Sequence, residues 1–355
     1  MVAIRTLAAE GREPSLRDLG RQPHQVSGNV NRPQILDSTK CPRIDGMKTY
    51  ERGLRSSRRP PRLLAIDLDG TLLDPDGLVR PVVRDAIATV RAAGVTVVIA
   101  TGRSPMGAKG VCLELGLSGP QVTMNGAMFG SPITGEIEWA RRLEPEEVRS
   151  HLAFARSWGL SPTLCLLDGY AIELSAGSLE PAELPPFVTA SRLRREPSLE
   201  SLAGEGVIRT FFATRPADHP TVVRALRDRF GASASVIWAD DLGVELLSRG
   251  TNKGRAFATV ARTMGISRAE TAAIGDGPND LQLMRVAGTS AAMRNAPADV
   301  RAAARYVVPT SAEDGVVQAL RRFYPDLPIP AAMPSERSGR RAPTVLPVAL
   351  AESAA

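Results

Sequence analysis

Lysine is nearly missing from this chain: four residues, at 40, 48, 109 and 253, stand against 40 arginines. Cysteine and histidine number three each, and Phe, Trp and Tyr together make up 4% of the 355 residues. Cys41, Cys112 and Cys165 lie far apart without metal-ligand spacing, which argues against a disulfide framework or thiolate metal site. They read as packing residues in a reducing cytosol. No apolar run is long enough to span a bilayer. The N-terminal stretch MVAIRTLAAEGREPSL has no secretory apolar region, so no export and a cytoplasmic location are expected. His151 and His219 are expected on a surface helix and loop, and Trp158 and Trp238 in the core.

The formal net charge of +6 invites a nucleic-acid reading, but its location argues against one. Residues 1–62 carry 13 Lys and Arg against 6 Asp and Glu, which leaves 31 against 32 for the remainder. A nucleic-acid enzyme carries its basic stripe on the fold itself. Here the excess sits in a leader, residues 1–60, rich in Arg, Pro, Gly and Ser and expected to be disordered. A Pro- and Ala-rich tail, 327–355, is expected to be unpacked as well.

Between these ends the pattern alternates between short apolar runs and amphipathic segments. RLLAID, VTVVIAT, QVTMNG, TAAIGDG, TSAAM and YVVP read as strands. RPVVRDAIATVRAAG, SPMGAKGVCLELG, KGRAFATVARTMG, NDLQLMRVAG and ADVRAAAR read as helices. This predicts an α/β fold, Rossmann-like and doubly wound, with a mainly parallel sheet formed by 61–142 and 248–326. The rhythm breaks over 143–247, where a helix, a hairpin turning at Asp168-Gly169, a strand, a helix and a strand pair suggest an inserted α+β module.

Four of the predicted strands end in polar residues, and a parallel sheet brings those ends to one rim. The first ends in Asp67 and Asp69, the second in Thr101-Gly102-Arg103, the third in Asn125-Gly126, and the late strand in Gly275-Asp276-Gly277-Pro278-Asn279-Asp280. Carboxylates crowded in this way repel one another unless a hard cation such as Mg²⁺ takes their oxygens. Thr101, the amides around Gly102 and Lys253 are candidate donors to an anionic substrate. Taken singly, each feature has a plainer reading: DLDGT as a capped turn, Thr101-Gly102-Arg103 as a strand-to-helix turn, Asn125-Gly126 as a tight turn, Asn295 as a helix cap and Asp74 as a loop former.

DLDGTLLD, TGR, NGA, the lysine of TNKG and GDGPND resemble, in type and order, the haloacid dehalogenase superfamily, and in particular its Cof-type phosphatase branch with an inserted cap of subclass IIB. The resemblance covers about residues 62–324. It implies that Asp67 is a nucleophile forming an aspartyl-phosphate and that Asp69 is the general acid and base. It implies Mg²⁺ held by Asp67, the Asp69 backbone carbonyl and Asp276, with Asp280 supporting. Thr101, Gly102, Lys253 and Asn279 then serve phosphate binding, and Arg103 and Asn125 support substrate or loops. The implied activity is hydrolysis of a small phosphorylated metabolite, a sugar phosphate or phosphorylated cofactor, with the cap reading the leaving group through residues such as Tyr170, Arg209 and Trp238. A phosphomutase of the same fold and anionic-polymer binding through the leader are the alternatives. Neither nucleic acid nor membrane is expected as a partner, and the oligomeric state stays open.

Overall fold

The computed structural model describes residues 60–174, 193–215, 217–239 and 243–332. The expected leader, apart from Pro60, and most of the expected tail lie outside them.

Among the described residues the first strand is β1 (Leu63–Ile66), whose four apolar residues are all buried. α1 (Pro81–Ala92), β2 (Thr96–Ile99), α2 (Pro105–Glu114) and β3 (Gln121–Thr123) follow, then β4 (Met128–Gly130) and β5 (Ile137–Ala140). Proline opens α1 and α2, where a missing N–H costs nothing, and the Ser104 hydroxyl caps α2 by accepting from the Gly107 amide. The inserted region holds α3 (Pro145–Ser157), β6 (Pro162–Cys165), β7 (Tyr170–Glu173), β8 (Leu193–Glu196), β9 (Arg209–Ala213), α4 (His219–Phe230), β10 (Ala234–Ala239) and β11 (Gly243–Ser248). The first unit then resumes with α5 (Lys253–Thr263), β12 (Thr271–Gly275), α6 (Leu281–Val286), β13 (Thr289–Met293), α7 (Ala298–Ala303), β14 (Tyr306–Val308) and α8 (Gly315–Phe323).

Five parallel strands form the central sheet in the order β14-β13-β12-β1-β2. Strand residues alternate between its faces. Leu64, Ile66, Val97 and Ile99 pack with α1, α2 and α8, whereas Leu63, Ala65, Val98 and Ala273 pack with α5 and α6. Burial on both sides explains why these strands read as unbroken apolar runs. Succession runs from β1 to β2 on one side and from β12 to β13 on the other. The loops after β1 and β12 therefore diverge and leave a crevice at the carboxyl ends of the strands.

The expected third parallel strand departs from prediction. β3 touches β2 through one parallel bridge, Ala100 to Val122, and pairs antiparallel with β4. The Gln121 side chain accepts from the Ile99 amide at 2.7 Å, a role a strand backbone would otherwise fill. The chain then turns at Met124 and Asn125, both at positive φ.

The inserted region forms a six-stranded sheet, β10-β11-β9-β6-β7-β8, with α3 and α4 on one face. The expected β6–β7 hairpin forms, but its turn is centred on Leu167-Asp168, closed by the Leu166 amide donating to the Gly169 carbonyl at 2.8 Å. The opposite face meets the first unit, where Cys165, Tyr170, Ile208 and Leu247 pack with Met124, Ala127 and Met128. The two connecting segments run side by side, and Arg141 Nη2 donates to the Arg249 carbonyl at 2.9 Å.

Both cap histidines are corrections to the surface expectation. His151 and His219 are buried, because each lies on the apolar side of its helix. His151 Nδ1 lies 3.2 Å from the Thr210 hydroxyl and its ring meets Phe230 edge-on. His219 Nε2 lies 3.0 Å from the Thr214 carbonyl. The tail also starts later than expected, since Ile329 is buried against the core. Cys112 and Cys165 are buried and unbridged, as packing residues should be. Among the described residues no helix is long and apolar enough to cross a membrane.

Candidate active site

Asp67 follows the last residue of β1, and its amide still belongs to the ladder, donating to the Ile274 carbonyl at 3.0 Å. The strand thus aims a carboxyl group into the crevice with a fixed backbone. Asp67 is 5% exposed. Lys253 opens α5, whose start is capped by the Asn252 side chain accepting from the Arg255 amide at 2.8 Å. The Lys253 ammonium is 1% exposed and donates to Asp67 Oδ1 at 2.7 Å and Asp280 Oδ1 at 2.8 Å.

Asp280 is completely buried, and its other oxygen accepts from the amides of Asp276 (3.0 Å) and Gly277 (2.9 Å). This folds the acidic loop after β12 back on itself. Asp276 is held from the other side by the Thr71 hydroxyl, which donates to Oδ1 at 2.7 Å. Gly70, at φ +76°, lets the two loops close: a Cβ there would lie 2.3 Å from Asp276 Oδ2. Carboxylate oxygens of Asp67, Asp276 and Asp280 all come within 4.8 Å of one another.

Three acids around one ammonium make a strongly biased site. Burial, and then the charge of Asp280, push the Asp67 carboxyl well above the usual carboxylate range, against the pull of Lys253. Burial opposes the charge on Lys253, but Asp280 and Asp67 outweigh it and hold its proton more tightly than usual. The oxygen-only donor set fits a hard divalent cation, which would offset the repulsion that burial amplifies.

The remaining predicted residues surround this cluster. Asp69 stands at the solvent edge, where Arg103 grips both of its oxygens, Nε to Oδ2 at 2.9 Å and Nη2 to Oδ1 at 2.5 Å. Buried Thr101 accepts the Arg103 amide on its hydroxyl at 3.1 Å. Gly102 packs against the Asn125 amide, leaving 3.1 Å for any Cβ. Asn125 Oδ1 accepts from Asn279 Nδ2 at 2.9 Å, which ties the third loop to the acidic one. Asn295 turns its amide toward Asp276 Oδ2 at 3.5 Å and does not cap α7. Asp74 accepts from the amides of Asp76 and Leu78 and shapes its loop.

Three cap residues are the expected readers of the leaving group. Tyr170 and Arg209 lie on the face toward the first unit, with the Tyr170 hydroxyl at Ser104 and Arg209 Nη1 at the Gly102 carbonyl, 3.0 Å. Trp238 lies on the opposite face, edge-on to His219, and at 39% exposed it is a correction to the core expectation. Sequence reasoning missed Thr71 and Glu245. Thr71 stands inside DGT, where the neighbouring acids carry the stronger signal. Glu245 sits in GVELLS, and a lone acid within an apolar strand was its available signal.

A family model of haloacid dehalogenase-like hydrolases matches residues 64–320, and the chain belongs to this family. It is a hydrolase of phosphoric monoesters. It is 27% identical to the phosphoglycolate phosphatase of Methanoculleus marisnigri over 75% of this chain and 98% of that one. It is also 27% identical to a 5-amino-6-(5-phospho-D-ribitylamino)uracil phosphatase of Bacillus subtilis, over 74% of this chain and 95% of that one. Among solved structures it shares the fold of a subclass IIB sugar phosphatase, with a TM-score of 0.62 and 23% identity over 74% of this chain and 98% of that one.

Proposed function

We propose that the chain is a Mg²⁺-dependent phosphatase of a small phosphorylated metabolite, acting through an aspartyl-phosphate on Asp67. The observation that carries this reading is the convergence of Asp67, Asp276 and Asp280 around the buried Lys253 ammonium. Asp67, Asp276 and the Asp69 backbone carbonyl would hold Mg²⁺, with Asp280 supporting from beneath. Bound there, the ion supplies positive charge against the phosphoryl oxygens and the nucleophile.

The protein's own groups account for the rest. An Asp67 oxygen forms a bond to phosphorus as the bond to the leaving alcohol breaks, and Asp69 gives that alcohol its proton. Asp69 then takes a proton from water, whose oxygen attacks phosphorus and frees inorganic phosphate and Asp67. Asp69 suits this exchange because it stands at the wet edge, whereas Asp67 is enclosed. Lys253 with Thr101 and the Gly102 amide would bind phosphoryl oxygens, and Asn279, Asn125 and Arg103 would steady the loops. Residues 143–247 would form the cap that excludes water and selects the leaving group, between the halves 61–142 and 248–326 of the catalytic unit.

The relatives are by name phosphatases of phosphoglycolate and of 5-amino-6-(5-phospho-D-ribitylamino)uracil, and sugar phosphates are the first class to try, with phosphorylated cofactors behind them. The test is phosphate release from a panel of such compounds, with Mg²⁺ and with EDTA, by wild type and Asp67→Asn. Release that needs Mg²⁺ and is lost by at least about a thousandfold in the variant is expected. Equal turnover in the variant refutes the nucleophile.

A further inference from the structure

The cap sheet carries a buried ion pair for which the chemical steps have no use. Arg209 of β9 and Glu245 of β11 are 1% and 3% exposed and are joined Nη1 to Oε1. Such pairs add little net stability, because desolvation offsets most of their attraction. Their second bonds are more informative, for both leave the cap.

Arg209 Nη1 also donates to the Gly102 carbonyl, directly after Thr101. Glu245 Oε2 accepts from Asn125 Nδ2 at 2.8 Å. An ionised carboxylate only accepts, so Asn125 must turn its nitrogen to Glu245 and its oxygen away. That oxygen receives Asn279, which stands between Asp276 and Asp280. The Asn125 backbone N–H meanwhile donates to the Thr101 carbonyl at 3.0 Å. Asn125 itself sits at φ +53°, a conformation a non-glycine residue keeps when its surroundings hold it there.

We propose that Arg209 and Glu245 form a latch through which the docked cap sets the geometry of the phosphate-binding and acidic loops. The proposal rests on the phosphatase reading above, and both are positioning residues. Undocking breaks the bonds to Gly102 and Asn125 together, and Asn125 then loses the partner that orients its amide toward Asn279. Catalytic loops become ordered only when the cap is seated, so turnover is confined to the closed form.

The experiment compares full-length wild type with Glu245→Gln and Arg209→Lys. Gln keeps the shape of Glu but can offer either nitrogen or oxygen to Asn125. Lys keeps the charge beside Glu245 but lacks the Nε that donates to Cys165 Sγ at 3.1 Å and fixes the planar head so that Nη1 reaches both Glu245 and Gly102. The readouts are kcat and KM for para-nitrophenyl phosphate and amide hydrogen exchange across the chain. In both variants kcat should fall about tenfold, or about 1.4 kcal/mol, with KM changed less than about threefold. Exchange should quicken at 101–103 and 276–280 while β9 and β11 keep their protection. Unchanged kcat and loop exchange overturn the latch, as does quickening confined to β9 and β11, which marks a role internal to the cap. If Glu245→Gln fails to fold, Arg209→Lys decides by the same readouts. A wild type inert toward every phosphate ester contradicts the phosphatase reading instead, and the exchange data still decide the latch.

Discussion

Lys253 carries a positive charge into a place closed to water, and the neighbouring acids make that placement stable. Lys253→Met would leave Asp67 and Asp280 buried and facing each other without their shared cation. Breaking a buried pair from one side costs about 3–5 kcal/mol. Chemical denaturation should show a loss of that order, and activity should vanish in the folded fraction. Gly70 acts through space alone. Gly70→Ala would drive a methyl group into Asp276 and require a positive φ of alanine. The Mg²⁺ concentration for half-maximal activity should rise about tenfold with the far-UV circular dichroism spectrum unchanged, because a ligand is displaced and no element is lost.

At the scale of elements, α3 binds the cap sheet through a group that prefers to be neutral. Burial lowers the His151 pKa from 6.5 to about 4. The unfolded chain therefore binds a proton between those values that the folded chain refuses, and stability falls as pH drops from about 6.5 toward 4. Thermal melts across that window should show the fall, and His151→Phe should flatten it. Strands and helices were largely legible because the buried parallel strands are apolar throughout and end abruptly in Asp or Thr-Gly. β8 was illegible, since Leu-Arg-Arg-Glu carries no apolar pattern. The departure of β3 was hidden as well, because it depends on one Gln121 side chain replacing a ladder bond. At the site, the acids and Lys253 were legible from residue type and order. Glu245 was not, for its partners Arg209 and Asn125 lie 36 and 120 residues away in sequence.

At the scale of the whole molecule, the two units share one energetic account. On the proposed reading Mg²⁺ would bind the folded site and not the unfolded chain, so it should raise the melting temperature, by an amount set by about 2.7 kcal/mol at a hundredfold excess over its Kd. Differential scanning fluorimetry with Mg²⁺ against EDTA reads this, and Asp276→Asn should abolish the shift. The basic leader, outside the described residues, is expected to lie apart from that account. A chain starting at residue 60 should keep the full kcat/KM toward the best phosphate ester; a large loss would revive the anionic-polymer reading.

The chain crosses between its two units at residues 141 and 249, one hydrogen bond apart. Everything between leaves and returns at nearly one point, so the ends flanking it need not move if the intervening stretch is shortened, lengthened or exchanged. To a gene, the part proposed above to bear specificity is a cassette. Recombination at that seam can replace what the enzyme recognises while the machinery that breaks the phosphate bond is inherited whole.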